Sequence, residues 1–347
     1  MRRALCARSN STSRLQRGAR DERRAGAHEG SADLGGRRRP HRRADESEQS
    51  ALPERRLHGR RSGRVLSRGA PVLIPYLQDN PLTMERFPDG IAVARGIWEK
   101  QRPRYTPDWI RRVTIPPSTG QPRDVTYLIV DDEAALTWVA NLAAITLHIW
   151  YSHVPTLDVP DVILFDLDPG ERCPLARLAR VALAFRDELA EIGLRAYVKT
   201  TGGMGMHVVV PLAPKYDYDV AKGVAELVAH RLSRVLPDDT TLERAIARRP
   251  DDRVYLDWVQ VGKGKTYVAP FSVRARDGAP VSMPLGWDAV DAMRRKRSKE
   301  TTAEMKRWTI RNVPGLVAEH GDPWLAEGWK RQTLESPLKR ARAVWEH

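Results

Sequence analysis

The sequence predicts an α+β fold with a mixed sheet rather than a doubly wound parallel one, and three observations predict it. Short runs rich in Val, Ile, Tyr and Phe alternate with stretches whose apolar residues recur at helical spacing, so both element types are present. These elements do not follow the strict strand–helix–strand repeat of a doubly wound sheet. No internal repeat is evident, and 347 residues suffice for one large domain or two modest ones with a real core.

Residues 1–66 hold Arg, Gly, Ser, Ala and Glu with almost no aliphatic periodicity. They are expected to be disordered, because they cannot bury enough apolar area to offset their chain entropy. Residues 1–70 hold 19 Arg and no Lys against 8 acidic residues, whereas the rest of the chain holds 39 basic and 36 acidic residues. The net charge of +14 is therefore no evidence for nucleic-acid binding by the globular part. A basic arm that grips phosphates is one reading of this stretch. An upstream or frame-shifted translation is another, which the absence of any Lys before Lys100 fits.

Order is expected to begin at "APVLIPYL" (70–77). "PLTMERFPDGI" reads as a strand and then a tight turn at Pro88-Asp89-Gly90. "TYLIV" is a strand, and Asp131 or Asp132 caps the helix that follows. "WVANLAAITLHIW" (138–150) contains Asn141 and His148, is too short to span a bilayer and reads as buried helix. "DVILFDLD" is a strand, and "PLARLARVALAFRDELAEIG" is an amphipathic helix that stops at Gly193. "RAYVKT", "MHVVVPL", "RVYLDWV" and "KTYVAPFSV" are strands, and "YDVAKGVAELVAHRLSRVLP" is a second amphipathic helix. The chain from about 285 reads as helical and polar, with 336–347 as a helical tail. Cys6 and Cys173 are far apart and suggest neither a disulfide framework nor a zinc site. With no apolar leader after the Arg-rich start, an intracellular, cytoplasmic protein is expected.

The chemistry centres on "DVILFDLDPG". On a strand, Asp166 and Asp168 project from one face, and two carboxylates so placed repel unless a cation sits between them. Hard divalent metals take such oxygens, and a pair of them forms the clamp used in nucleotidyl transfer. A plain Asp-Pro-Gly turn and the nucleophile and acid of a phosphatase are the alternatives that this stretch alone leaves open. Asp257 lies inside an apolar strand, "RVYLDWVQ", where a charge is costly unless paired; Asp161, Asp131 and Asp132 stand at element ends and are weaker candidates. In "KTTGGMGMHVVVPL", Gly202, Gly203 and Gly205 let backbone amides converge on an anion, beside the Thr200, Thr201 and His207 side chains. A glycine-rich hairpin with a core His is the alternative. Lys263, Lys265, Arg274 and Arg276 follow Asp257 within twenty residues, as cations flanking a metal-bound triphosphate do.

Together "RFPDG", "PDWI", "FDLDPG", "TTGGMGMHVVVPL" and the block from 253 to 288 resemble the polymerase domain of bacterial ATP-dependent DNA ligase D, of the archaeo-eukaryotic primase superfamily. The resemblance covers about 70–330. It implies a primase-polymerase fold over 67–335, an α/β module packed on an RRM-like module with the active site between them. It implies template-directed addition of ribo- or deoxyribonucleotides to DNA 3′ ends in non-homologous end joining, with two Mn²⁺ or Mg²⁺ ions. Partners would be DNA ends with short overhangs or gaps, NTP or dNTP, Ku and a ligase, in a nucleoid-associated setting. Asp166, Asp168 and Asp257 would match the catalytic metal ligands. Thr201, Gly202, Gly203, His207, Gln260, Lys265, Arg274 and His148 would serve the nucleotide, and Arg86, Trp98 and Lys100 the DNA. Trp98 falls where the family stacks an aromatic on a base.

Three departures stand out. Met204 replaces the family's loop Lys, Glu85 stands where a basic residue is common, and residues 1–66 lack the family's segment for a DNA 5′-phosphate. A catalytically weakened DNA-end-binding module is the first alternative, and a haloacid-dehalogenase-type phosphatase the second. Pro169-Gly170 counts against the latter, since that family places Gly-Thr or similar after its second Asp. With no ligase or nuclease segment on this chain, a stand-alone polymerase is expected.

Overall fold

A computed structural model describes residues 69–92, 95–117, 122–296 and 301–345. The stretch expected to be disordered, 1–66, lies outside the described residues.

The described chain opens with helix α1 (69–77), whose Ala70, Leu73 and Leu77 are buried at helical spacing. Strands β1 (Leu82–Arg86), β2 (Ile97–Glu99), β3 (Arg112–Ile115), β4 (Val125–Leu128) and β5 (Ala144–Trp150) follow, with α2 (Glu133–Asn141) before β5. Together with β11 (Thr266–Val268) they form a first antiparallel sheet in the order β11-β5-β1-β4-β3, with β2 also pairing β1. Asp132 caps α2 by accepting from the Ala135 amide, so it is the second of the two aspartates that plays this part. Asp131 instead accepts from the Asp79 amide and pairs with Arg111.

The expected buried helix over 138–150 is corrected: α2 ends at Asn141 and residues 144–150 form β5. The switch falls at Ala143, which has a φ of 58°. "AITLHIW" beyond it is β-branched and aromatic, and its burial comes from sheet neighbours on both sides.

A second sheet runs β12-β7-β8-β6-β10-β9. Its strands are β6 (Val162–Pro169), β7 (Tyr197–Thr200), β8 (Met206–Pro211), β9 (Thr240–Thr241), β10 (Val254–Asp257) and β12 (Pro284–Leu285). Only the β9–β10 pair is parallel among the described ladders. Helices α3 (Leu175–Glu191) and α4 (Tyr218–Val235) cover one face, with apolar residues every three or four positions buried to 8% exposure or less. Alternation then decides β6: Phe165 packs its ring on Phe185 of α3, while Asp166 and Asp168 turn to the other face.

The C-terminal part comprises α5 (Trp287–Arg295), α6 (Thr301–Met305), α7 (Val313–His320), α8 (Pro323–Ala326) and α9 (Glu335–Trp345). It is helical as expected but not merely polar. Trp308, Trp324, Leu334 and Trp345 are buried, and the Trp324 indole donates to the Val198 carbonyl at 2.8 Å. Helix α9, in the segment read as a tail, docks on α3 through Trp345 Nε1 donating to Glu191 at 3.1 Å.

Candidate active site

Strand register assembles the site. Lys199 on β7 pairs with His207 on β8, His207 with Asp166 on β6, and Asp166 with Asp257 on β10. Paired residues in an antiparallel ladder share a face, so one row across four strands reads Lys, His, Asp, Asp. Asp168 lies two residues along the same face, opposite Tyr255. His207 Nε2 is 3.4 Å from Asp166 Oδ1.

The row is electrostatically tense. Burial, then the Asp166 charge, raises the Asp168 carboxyl, Arg249 opposes this, and Asp257 raises it further. Arg249 lies 3.4 Å from Asp168 and 3.5 Å over the Tyr255 ring. Asp257 accepts from the Val259 amide at 3.1 Å and from Gln260 Nε2 at 3.0 Å. Burial depresses His207 to about 4 and His148 to about 3, with nearby cations adding to both. Lys199 is completely buried, its ammonium form strongly disfavoured by desolvation, and it donates to Ser282 Oγ at 2.6 Å.

Among the described residues, no three His, Cys, Asp or Glu side chains converge on one point. Asp168 leans to Arg249 instead. The donor set nevertheless fits a divalent metal: three hard carboxylates share one face and repel one another, and a cation between them relieves that repulsion.

A cavity of about 370 Å³ opens over this face. Asp166, Asp168, Thr201, His207, Gln260 and Arg274 line it, and so do His148 and Gly203. The glycine loop is shaped by contact. A Cβ at Gly205 would lie 2.5 Å from the Leu167 carbonyl oxygen, and one at Gly202, where φ is 69°, would lie 2.5 Å from Arg274 Cγ. Thr201 Oγ1 accepts from the Gly203 amide at 3.1 Å and donates to the Gly205 carbonyl at 3.2 Å. His207 Nδ1, His148 Nε2 and the Tyr151 hydroxyl are buried with no hydrogen-bond partner, and all three side chains line the cavity. Unpaired buried polar atoms of this kind are uncommon and suit a polar ligand.

Other expected residues, Asp257 and Gly202 among them, are not brought into the cavity lining. Lys265 donates to the Val259 carbonyl. Arg86 donates to the Leu142 carbonyl at 2.8 Å and to Glu99 at 2.5 Å, and the ladder that pairs Arg86 with Ile97 and Glu85 with Trp98 puts Arg86 and Trp98 on opposite faces. Trp98 stands at the rim, half-exposed, with its ring 4.6 Å from that of His148. Lys100 is exposed just beyond β2. Asp161 is a structural residue held by His153 and Arg331.

A family model described as the LigD primase-polymerase domain matches residues 66–324. The chain belongs to this family. LigD primase-polymerase domains are metal-dependent nucleotidyltransferases of the archaeo-eukaryotic primase superfamily, and polymerase function is consistent with that membership. The chain is 28% identical over 276 residues to the multifunctional non-homologous end joining protein LigD of Pseudomonas aeruginosa, covering 79% of this chain and 31% of that one. Against the protein of the same name from Mycolicibacterium smegmatis it is 33% identical over 223 residues, covering 64% and 29%. The bifunctional LigD of Bacillus subtilis is 27% identical over 267 residues, covering 77% and 40%. The chain thus spans well under half the length of these relatives. Among solved structures, the polymerase domain from Mycobacterium tuberculosis ligase D in complex with DNA superposes with a TM-score of 0.68 at 28% identity, covering 77% of this chain and 91% of that one. The LigD match removes the phosphatase alternative. Among the described residues, no helix is long and apolar enough to cross a membrane.

Sequence reasoning passed over Lys199 and Tyr151. The signal for Lys199 was a lysine directly after the apolar run Ala-Tyr-Val of "RAYVKT", in a strand whose four residues are all buried. Tyr151 carried no signal, because it sits one residue beyond its strand.

Proposed function

We propose that this chain is a template-directed nucleotidyltransferase that adds NTP or dNTP to DNA 3′ ends during non-homologous end joining. The observation that carries it is the row Lys199, His207, Asp166 and Asp257, with Asp168 beside it, of which Asp166, Asp168 and His207 line a cavity together with the glycine loop. Asp166, Asp168 and Asp257 would hold two divalent ions, Mn²⁺ or Mg²⁺. When bound, these supply the charge neutralisation needed for in-line attack of a 3′-hydroxyl on the α-phosphate.

The chain's own residues do the positioning. Amides of Gly202 and Gly203, with Thr201, His207 and Arg274, orient the triphosphate and hold the leaving pyrophosphate. Gln260 fixes the Asp257 carboxylate by its hydrogen bond. His148, neutral at pH 7, contacts the nucleotide between this cradle and the base that stacks on Trp98. Lys100 takes a DNA phosphate. Lys265 and Arg86, engaged elsewhere, are left out of this assignment. DNA ends with short overhangs or gaps are the substrate, Ku and a ligase the partners, and the bacterial nucleoid the setting.

The test is primer extension with Mn²⁺ on an overhang substrate. Wild type extends, and Asp166→Ala lowers the rate by a factor of a thousand or more. Equal extension by both sinks the assignment. DNA-end binding by a wild type that never extends would favour the weakened end-binding reading, which Met204 in the cavity wall motivates.

A further inference from the structure

Among the described residues, the exposed aromatic rings are Trp98 at 54%, Tyr105 at 65% and Trp109 at 58%, all within twelve residues of sequence. Trp98 belongs to the cavity rim. Tyr105 and Trp109 do not line the cavity, and no role described above uses them. The same segment carries Lys100, Arg102, Arg104, Arg111 and Arg112. Arg111 pairs with Asp79 and Asp131, and Arg112 pairs with Asp108. Lys100 and Arg104 are exposed and have no ion-pair partner among the described residues.

The segment is fixed in place. The Arg102 amide donates to the Thr126 carbonyl at 2.7 Å, and Gln101 Oε1 accepts from the Thr126 amide at 2.9 Å, tying it to β4. Thr106 Oγ1 donates to the Pro103 carbonyl at 2.6 Å, and the buried Ile110 anchors the far end through its amide on Pro107. Tyr105 lies 6.3 Å from the ring of Trp138, which supports it from one side. A held segment therefore presents large rings to water, at a hydrophobic cost that a folded chain ordinarily avoids. Two unpaired cations, Lys100 and Arg104, precede Tyr105 and Trp109 on this segment, so the fitting occupant is a polyanion with flat apolar faces. Unpaired bases on a phosphate backbone have both properties, and stacking on such rings is tolerant of sequence.

We propose that the segment between β2 and β3, through Tyr105 and Trp109 with Lys100 and Arg104, is a stacking track for single-stranded DNA outside the catalytic cavity. It takes the unpaired overhang of a DNA end, whereas the cavity takes the nucleotide. The proposal rests on the polymerase reading only for the choice of DNA, and its test involves no nucleotide addition.

Binding is read by fluorescence anisotropy in EDTA, with a labelled duplex carrying a single-stranded overhang and the same duplex made blunt. Tyr105→Ala and Trp109→Ala should each weaken overhang binding about fivefold or more, as expected for the loss of one base–ring stack. Loss on the blunt duplex should be much smaller. Tyr105→Phe and Trp109→Phe should restore binding, since a ring remains. Arg104→Ala should weaken the overhang ligand more than the blunt one and shallow the salt dependence of overhang binding. Unchanged overhang affinity in both alanine variants overturns the proposal, as does equal loss on blunt and overhang ligands. So does a shift from dimer to monomer on sedimentation, which would make the patch a surface between copies of this chain. A failed Asp166→Ala extension test leaves these binding readouts untouched, so the two readings fail separately.

Discussion

Replacing Asp168 by Asn should make the metal-free protein more stable and the metal-loaded protein less so. Asp168 shares its face with the directly opposed Asp166 and Asp257, and burial and the Asp166 charge raise its pKa. A carboxyl raised in the folded state binds more protons folded than unfolded. Its charge subtracts stability above the raised pKa and none below the usual carboxylate value, so stability falls as pH rises through that window. Side chains two apart on a strand stand about 7 Å apart, where two like charges cost about 2 kcal/mol at an effective dielectric of 20. The Asp168 side chain is 57% exposed and Arg249 lies 3.4 Å away, so the net cost falls to about 1 kcal/mol or less. In EDTA at pH 7, Asp168→Asn should therefore raise the denaturant midpoint by an amount equivalent to up to about 1 kcal/mol. Mn²⁺ at a hundred times its Kd should stabilise wild type by about 2.7 kcal/mol. The variant, short of one ligand, should gain less, and the order of the two midpoints should invert. Two results refute this reasoning: a variant clearly less stable than wild type in EDTA, or a wild-type midpoint that Mn²⁺ does not move.

Gly202→Ala, at a φ of 69° and with its Cβ 2.5 Å from Arg274 Cγ, should cost about 1–3 kcal/mol in denaturation and weaken nucleotide binding measured by calorimetry. Lys199→Met should change stability by only about 1 kcal/mol, because one hydrogen bond to Ser282 is lost while a buried amine is removed; kcat/KM for extension should nevertheless drop at least about tenfold, the equivalent of ~1.4 kcal/mol. Met204→Lys restores a loop cation of the kind the family carries and should lower the triphosphate KM several-fold in steady-state extension; an unchanged KM would show that this side chain does not reach the phosphates. His148 and His207 are depressed to about 3 and about 4, so the unfolded chain binds more protons below their ordinary value near 6.5. Stability should fall as pH drops from about 6.5 toward 4, and a flat profile in a pH series of denaturant melts would contradict their burial as neutral rings.

Much of this protein was legible in its sequence where the information is local. The apolar run that ends in Asp-Leu-Asp, "DVILFDLD", made β6, the 3.6-period run from Leu175 made α3, and Gly193 with a φ of 86° stopped it. The aspartate pair, the glycine loop and the basic block could be read as chemistry because each lies within a few residues of itself. Local patterning misled at 138–150, where an apolar run without Gly or Pro hid the turn at Ala143. Tertiary structure alone decided which residues meet. Lys199, His207, Asp166 and Asp257 stand on four strands separated in sequence by loops and two whole helices, α3 and α4, and only inter-strand register brings them into a row. The same register turned Arg86 away from Trp98, and local folding of the loop after β10 tied Lys265 to Val259. Periodicity shows which face a side chain takes on its own strand. Which partner lies opposite depends on backbone hydrogen bonds and burial summed over the whole sheet, and no single strand carries that information.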